Sequence, residues 1–439
     1  MIEEYNPWWI SKDKVKETEI FRKFEESQLK WVPDVIHKLS LSPFSLNFVL
    51  GPRQVGKSTA MILLVKKLLD DNVDPKGIFY FSCDKIVDYK ELDEILEDYL
   101  RLKKSNNITS SFLLLDEITY PKEWHRALKS MIDKGDFKND VLVVTGSLSV
   151  SARREIETFP GRRGQGKNLI MYPLPFSKYV ELFNVKLPRG DLNFVTSNFG
   201  RYSHLTQTLN ELMERYLVTG GFPNAIREHS SYGRVSVTVD DFLSSVISDI
   251  NKLRRSETFF KLTVKGLLER TSSELSYHTI SKSFGVGTVK TAISYVELMD
   301  KMYLLKVLEQ VDLEGNVMVR KEKKFYFTDP FIYKAFSSWT SVSVPKERLM
   351  ESVAVTHISR LYETFYTKVR GEVDVVVKGN EMTGFEVKFG KVKEERKILG
   401  RMKKVFVLSK DTVRDRVIPL SLFLSMLDVP QSVEFKVLK

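Results

Sequence analysis

The sequence predicts an α/β protein. A parallel sheet flanked by helices comes first, then a helical region, a winged helix and a small mixed α/β domain. Three observations carry this. Apolar strand-forming runs alternate with amphipathic helical stretches from residue 45 to about 175, the pattern of a parallel sheet. The first such run, Ser45 to Leu50, ends in Gly51-Pro52-Arg53-Gln54-Val55-Gly56-Lys57-Ser58-Thr59. A third region, residues 257–328, reads as three capped helices followed by two strands.

The glycine-rich stretch has the form G-x-x-x-x-G-K-[ST] between a strand and a helical apolar pattern (Ile62, Leu63, Val65, Leu68, Leu69), the context a P-loop needs. Its glycines admit backbone conformations closed to residues with a Cβ, so successive N–H groups can cradle phosphate oxygens at a helix N-terminus. Lys57 is placed to reach the β- and γ-phosphates of ATP or ADP, and the Ser58 hydroxyl to take one position on Mg²⁺.

The chain has 439 residues, 42% hydrophobic and 28% charged, which describes a globular protein of several domains. The amino terminus lacks a basic and apolar leader, and the longest nearly apolar run, Ile418 to Leu427, is too short to span a bilayer, so no membrane association is expected. A single cysteine, Cys83, excludes an internal disulfide and suits a reducing cytoplasm. The net charge is +11, and residues 346–439 hold 19 Lys and Arg against 13 Asp and Glu, or +6. That excess permits nucleic-acid contact; a Lys- and Glu-rich thermophile surface explains it as well.

Residues 1–44 carry Trp8, Trp9, Phe21, Phe24 and Trp31, and are expected to pack on the following domain, with an adenine-facing wall as an alternative. Residues 45–175 form the sheet domain. Ser111 to Glu117 is an apolar strand ending in two carboxylates, the form of a Walker B element. Asp116 would hold Mg²⁺, and Glu117 would act as general base on the attacking water. The strand Asp140 to Ser147 brings Thr145 and Ser147 to its tip, where a hydroxyl can sense the γ-phosphate; ordinary turn chemistry gives the same composition. Arg162 and Arg163, in Pro160 to Gly166, could supply transition-state charge in cis or from a neighbouring copy, contact a polymer's phosphates, or be solvated.

Residues 176–256 read as helical, with Gly220-Gly221-Phe222-Pro223 as a junction or hinge. In residues 257–328, Ser276 and Thr288 are helix caps, and strands are expected at Tyr303 to Val311 and Val317 to Phe327. The third helix carries Lys290 and Lys301, and the wing carries Arg320, Lys321, Lys323 and Lys324, a surface suited to DNA or to a protein partner. In residues 346–439, Glu351 lies on a helix, Asp374 on the strand Glu372 to Val377, and Glu386 and Lys388 share a face of the strand Gly384 to Phe389. Asp374 and Glu386 together could hold Mg²⁺, with Lys388 orienting a water for phosphodiester attack; an exposed charged strand face is the alternative. The run Lys388, Lys391, Lys393, Arg396, Lys397, Arg401, Lys403 and Lys404 would follow a nucleic-acid backbone.

With these pieces placed, the chain resembles prokaryotic, archaeal-type AAA-superfamily ATPases that carry a winged helix and a restriction-endonuclease-like C-terminal domain. The matching residues are Gly51 to Thr59, Leu115-Asp116-Glu117, Thr145-Gly146-Ser147, Gly161-Arg162-Arg163-Gly164, Gly220-Gly221-Phe222-Pro223, and Glu372-Val373-Asp374 with Phe385-Glu386-Val387-Lys388, over nearly the whole length. The family's phosphate loop more often ends Lys-Thr-Thr; Lys-Ser-Thr here keeps the hydroxyl. The resemblance implies Mg²⁺-dependent ATP hydrolysis coupled to DNA by a C-terminal module able to bind or cut it. The competing expectation is a nucleotide switch whose winged helix and nuclease-like domain only bind protein partners or a second copy.

Overall fold

The structure is a computed structural model that describes residues 2–147, 155–369, 371–379, 381–390 and 402–435. It comprises two compact units, residues 1–172 with 431–439, and residues 173–430.

The first unit is built on six strands in the order β14-β5-β1-β4-β3-β2. These are β1 (Ser45–Gly51), β2 (Ile78–Ser82), β3 (Phe112–Asp116), β4 (Val141–Ser147), β5 (Asn168–Met171) and β14 (Ser432–Glu434). The strands β1 to β5 run parallel and only β14 runs antiparallel. Every residue of β1 and β4 is buried, as expected for central strands covered on both faces by helices. The helix Tyr89–Ser105 starts where Asp88 accepts from the amides of Lys90 and Glu91, and it buries Leu92, Ile95, Leu96 and Tyr99 at helical spacing.

The β2 edge of this sheet is covered, which removes one open template for aggregation. The amino-terminal segment covers β2: the indole N–H groups of Trp8 and Trp9 donate to the Ile78 carbonyl at 3.0 and 2.9 Å. Trp8 and Trp9 therefore pack against the amino end of β2, the end away from the phosphate loop. At the other edge β14 pairs with β5, through Val433 opposite Ile170. The expected boundary is thereby corrected: the last strand belongs to the phosphate-loop sheet and not to the C-terminal domain that precedes it in sequence.

The second unit opens with helices, among them Thr206–Thr219, Pro223–Tyr232 and Ser236–Lys252. Gly220 and Gly221 lie inside the second unit and not at a junction between units. The Gly221 amide donates to the buried Asp329 carboxylate at 3.1 Å, and its carbonyl accepts from Leu174. A Cβ on Gly221 would lie 2.1 Å from the Leu174 carbonyl oxygen, so the turn is pinned inside one unit.

The chain then forms helix Glu257–Glu269, β6 (Glu274–Leu275), helices Tyr277–Ser283 and Val289–Lys301, β7 (Leu305–Leu308) and β8 (Lys323–Phe327). Ser276 and Thr288 cap their helices as the sequence indicates. The strands are shorter than expected, and β6 adds a third in the order β6-β8-β7. The remaining sheet has the order β13-β12-β11-β10-β9, with β9 (Thr364–Thr367), β10 (Val373–Val377), β11 (Met382–Lys388), β12 (Met402–Ser409) and β13 (Val417–Pro419). Among the described residues no helix is long and apolar enough to cross a membrane.

Candidate functional site

At the carboxyl end of β1 the chain turns through Gln54 at φ +63° and Gly56 at φ +97°, two left-handed residues that make the concave run of amides a phosphate needs. Gly51 has no room for a side chain, since a Cβ would sit 2.3 Å from the Met171 carbonyl oxygen. Helix Lys57–Asp70 begins directly after Gly56. The Lys57 ammonium, 4% exposed, lies across the loop and donates to the carbonyls of Pro52 at 2.9 Å and Gly51 at 3.2 Å.

Because β1, β4 and β3 are adjacent and parallel, their carboxyl ends meet beside this loop. Asp116 ends β3 and is 2% exposed. Burial holds its carboxyl above the usual range, opposed by hydrogen bonds from Ser58, Thr145 and Tyr80, while the Glu117 charge pushes it further up. The Thr145 hydroxyl donates to Asp116 Oδ1 and accepts from the Glu117 amide at 3.1 Å, so one side chain fixes both acidic residues. Glu117 adopts φ +52°, a costly conformation for a residue with a Cβ. Tyr120 N donates back to its carbonyl and Ile118 N donates to the Thr145 carbonyl, holding that turn. The Ser147 hydroxyl lies 3.4 Å from Glu117 Oε2.

A carboxylate short of charge compensation, facing a serine hydroxyl beneath a phosphate-shaped loop, fits Mg²⁺. Ser58 and Asp116 would hold the ion. The structure thus brings Lys57, Ser58, Asp116, Glu117, Thr145 and Ser147 together. Sequence reasoning passed over Tyr80, whose phenol reaches Asp116 Oδ2 at 3.1 Å; in an apolar strand it reads as core.

Arg162 and Arg163 do not join them. Gly164 bridges Ser45 and the Arg163 carbonyl accepts from Leu46, so the loop lies at the amino end of β1. Six strand residues separate that end from Gly51, roughly 20 Å. Arg162 forms a two-point ion pair with Asp133, at 2.7 and 3.1 Å. Within one chain, therefore, neither arginine is brought to the phosphate loop. Arg162→Ala and Arg163→Ala are expected to leave ATP binding and per-chain turnover of dilute protein within about twofold of wild type, since neither removes a group near the reacting phosphate. Phosphate release at low and high protein concentration checks this, and a loss confined to high concentration would point to a role across copies.

The C-terminal constellation has an additional member. The ammonium of Lys324, on β8, lies 2.9 Å from Glu372, 3.1 Å from Asp374 and 3.5 Å from Glu351, with its side chain 1% exposed. Burial alone would lower its pKa, but Asp374, Glu351 and Glu372 hold it well above the ordinary value. Asp374 Oδ2 accepts from the Val387 amide, and Glu386 pairs with Lys388 at 2.7 Å. The antiparallel register that sets Val375 opposite Phe385 makes Asp374 and Glu386 the next cross-strand neighbours, as expected from the sequence; Asp374 also meets Lys324, and Glu386 also meets Lys388. Among the described residues no group of three or more His, Cys, Asp or Glu is arranged to hold a metal. Lys324 is also removed from the wing surface, and Lys323 pairs with Glu309. Lys391, Lys393, Arg396, Lys397, Arg401, the Lys403 side chain and the Asn380 turn residue lie outside the described residues.

Fold and loop geometry together define the first unit as a P-loop domain. Residues 44–180 match the family described as AAA domain, and residues 210–343 match a domain of unknown function. An uncharacterised protein of Methanocaldococcus jannaschii is 26% identical over 383 residues, 81% of this chain and 77% of that protein. One from Haemophilus influenzae is 20% identical over 295 residues, 65% of this chain and 67% of that protein. Among solved structures, the Aeropyrum pernix ORC1 protein in complex with DNA aligns at 15% identity and TM-score 0.33, over 75% of this chain and 96% of that one.

Proposed function

We propose that this protein binds ATP with Mg²⁺, hydrolyses it, and couples the hydrolysis to DNA. The observation that carries the ATPase reading is the meeting of Lys57, Ser58, Asp116 and Glu117 at the carboxyl ends of adjacent parallel strands. Lys57 would bind the β- and γ-phosphates, and Glu117 would take the proton of the attacking water while Thr145 keeps its backbone in place. Bound Mg²⁺ would offset phosphate charge; Ser58 and Asp116 supply its protein ligands.

For the DNA contact, the order helix–β6–helix–helix–β7–β8 supports a winged helix. Lys282, Lys290, Arg320 and Lys321 are exposed on it and suited to phosphates. The second reading, a switch that engages protein partners, is favoured by the burial of Lys324, which takes one cation from that surface. The same ion cluster favours a C-terminal sheet that binds or braces and does not cut. ATP turnover is expected to rise several-fold with DNA and to lose that stimulation in Lys290→Ala. Mn²⁺ with linear, nicked and single-stranded DNA is expected to give no cleavage. Turnover indifferent to every DNA form would remove the DNA coupling and leave the partner switch.

A further inference from the structure

We propose that Tyr80 is a positioning residue for the cation-holding carboxylate of Asp116, and that Asn6 of the amino-terminal segment sets Tyr80 in place. The inference rests on the nucleotide-binding reading above and adds a partner to its site from the edge of the sheet.

The strand register explains the reach. In the parallel pair of β2 and β3, Ser82 lies opposite Asp116 and Tyr80 opposite Leu114. Tyr80 and Asp116 therefore share a face of the sheet on a diagonal, a separation long side chains span. The phenol is buried and donates to Asp116 Oδ2 at 3.1 Å, while Thr145 from the opposite neighbour β4 donates to Oδ1. Neutral donors from both neighbouring strands thus hold the two carboxylate oxygens, with the Ser58 hydroxyl as a third donor from the phosphate-loop helix.

Tyr80 is itself fixed from outside. On an edge strand, one residue's N–H and C=O both face away from the sheet, and here Asn6 satisfies both. Its Oδ1 accepts from Tyr80 N at 2.7 Å, and its Nδ2 donates to Tyr80 O at 3.0 Å. Nδ2 also donates to Ile2 O at 2.7 Å, and Asn6 is fully buried. One amide side chain thus stands in for a missing strand at the residue whose phenol orients Asp116. The amino-terminal segment is therefore connected to the Mg²⁺ position by three side chains in series.

The test uses full-length protein and a fluorescent ADP analogue, titrated with excess Mg²⁺ and with EDTA, beside a thermal melt of each variant. Tyr80→Phe keeps the ring and removes only the donor. Mg²⁺ affinity, read as the concentration that restores tight nucleotide binding, is expected to weaken roughly 10–100-fold, the usual cost of losing an outer partner of a ligating carboxylate. Affinity in EDTA should match wild type. Asn6→Ala should move Mg²⁺ affinity in the same direction by less. A folded Tyr80→Phe with wild-type Mg²⁺ affinity overturns the proposal and leaves the nucleotide site standing. Wild-type protein that binds the analogue equally with and without Mg²⁺ also overturns the proposal while leaving the nucleotide site standing, and wild-type protein that does not bind the analogue takes down both.

Discussion

Glu117→Gln is expected to bind ATP as wild type does and to turn it over roughly 10²–10⁴-fold more slowly, the usual contribution of a positioned general base. The amide keeps the size of the side chain but cannot accept the proton of the attacking water. It also leaves intact what holds the backbone at φ +52°, namely Thr145 on the Glu117 amide and Tyr120 on its carbonyl. Lys57→Ala is the contrasting variant. Its ammonium spans the loop in which the ground-state phosphates would lie, so nucleotide affinity itself should be lost. Equilibrium binding of labelled ATP and steady-state phosphate release separate the two effects. Wild-type turnover in Glu117→Gln would move the base elsewhere, with Ser147 and its contact to Glu117 Oε2 the next group to change.

The nucleotide site was legible because its signals are local. An apolar run stopping at Gly51, a Lys-Ser at a helix start and a strand ending in two carboxylates each specify one element and one residue's place on it. What the sequence left hidden depends on which elements become neighbours. The strand β14 pairs with a partner some 260 residues earlier, and no periodicity in Ser432–Glu434 says which edge it will cover. Tyr80 sits in an apolar strand and becomes a donor only because β3 lies beside it in the register that sets Ser82 opposite Asp116. Arg162 and Arg163 follow flexible glycine chemistry that a phosphate site would also use; the bridge from Gly164 to Ser45, which no local pattern announces, fixes them within one chain at the end of β1 away from Gly51. Lys323 and Lys324 look alike in a basic hairpin. Strand alternation separates them onto opposite faces, and Lys324 meets the carboxylates of β10 and of helix Lys346–Ser359.

Lys324→Ala is expected to destabilise the second unit by about 3–5 kcal/mol, the cost of breaking a buried ion cluster from one side. Its ammonium is nearly sealed from water, and removing it leaves Glu351, Glu372 and Asp374 facing one another without a cation. The exposed neighbour Lys321→Ala should change stability by no more than about 0.5 kcal/mol. The cluster also dictates a pH dependence. Burial first, and Asp374 second, raise the Glu351 pKa from 4.5 to about 7, against the opposing charge of Lys324. The folded protein therefore keeps a proton that the unfolded chain releases near 4.5. The stability from this group is fully present below that pH and is lost as pH rises to about 7. Asp329, raised by burial to about 7, contributes in the same direction. Glu351→Gln should accordingly flatten, without abolishing, the fall in stability between these two pH values. The deficit of Lys324→Ala should shrink toward the acid end of that window, where Glu351 is protonated and repels Asp374 less. Urea unfolding of the full chain at several pH values reads both effects. A Lys324→Ala deficit under about 1 kcal/mol at neutral pH would show that the three carboxylates relax into water, and the cluster would then be an ordinary surface pairing.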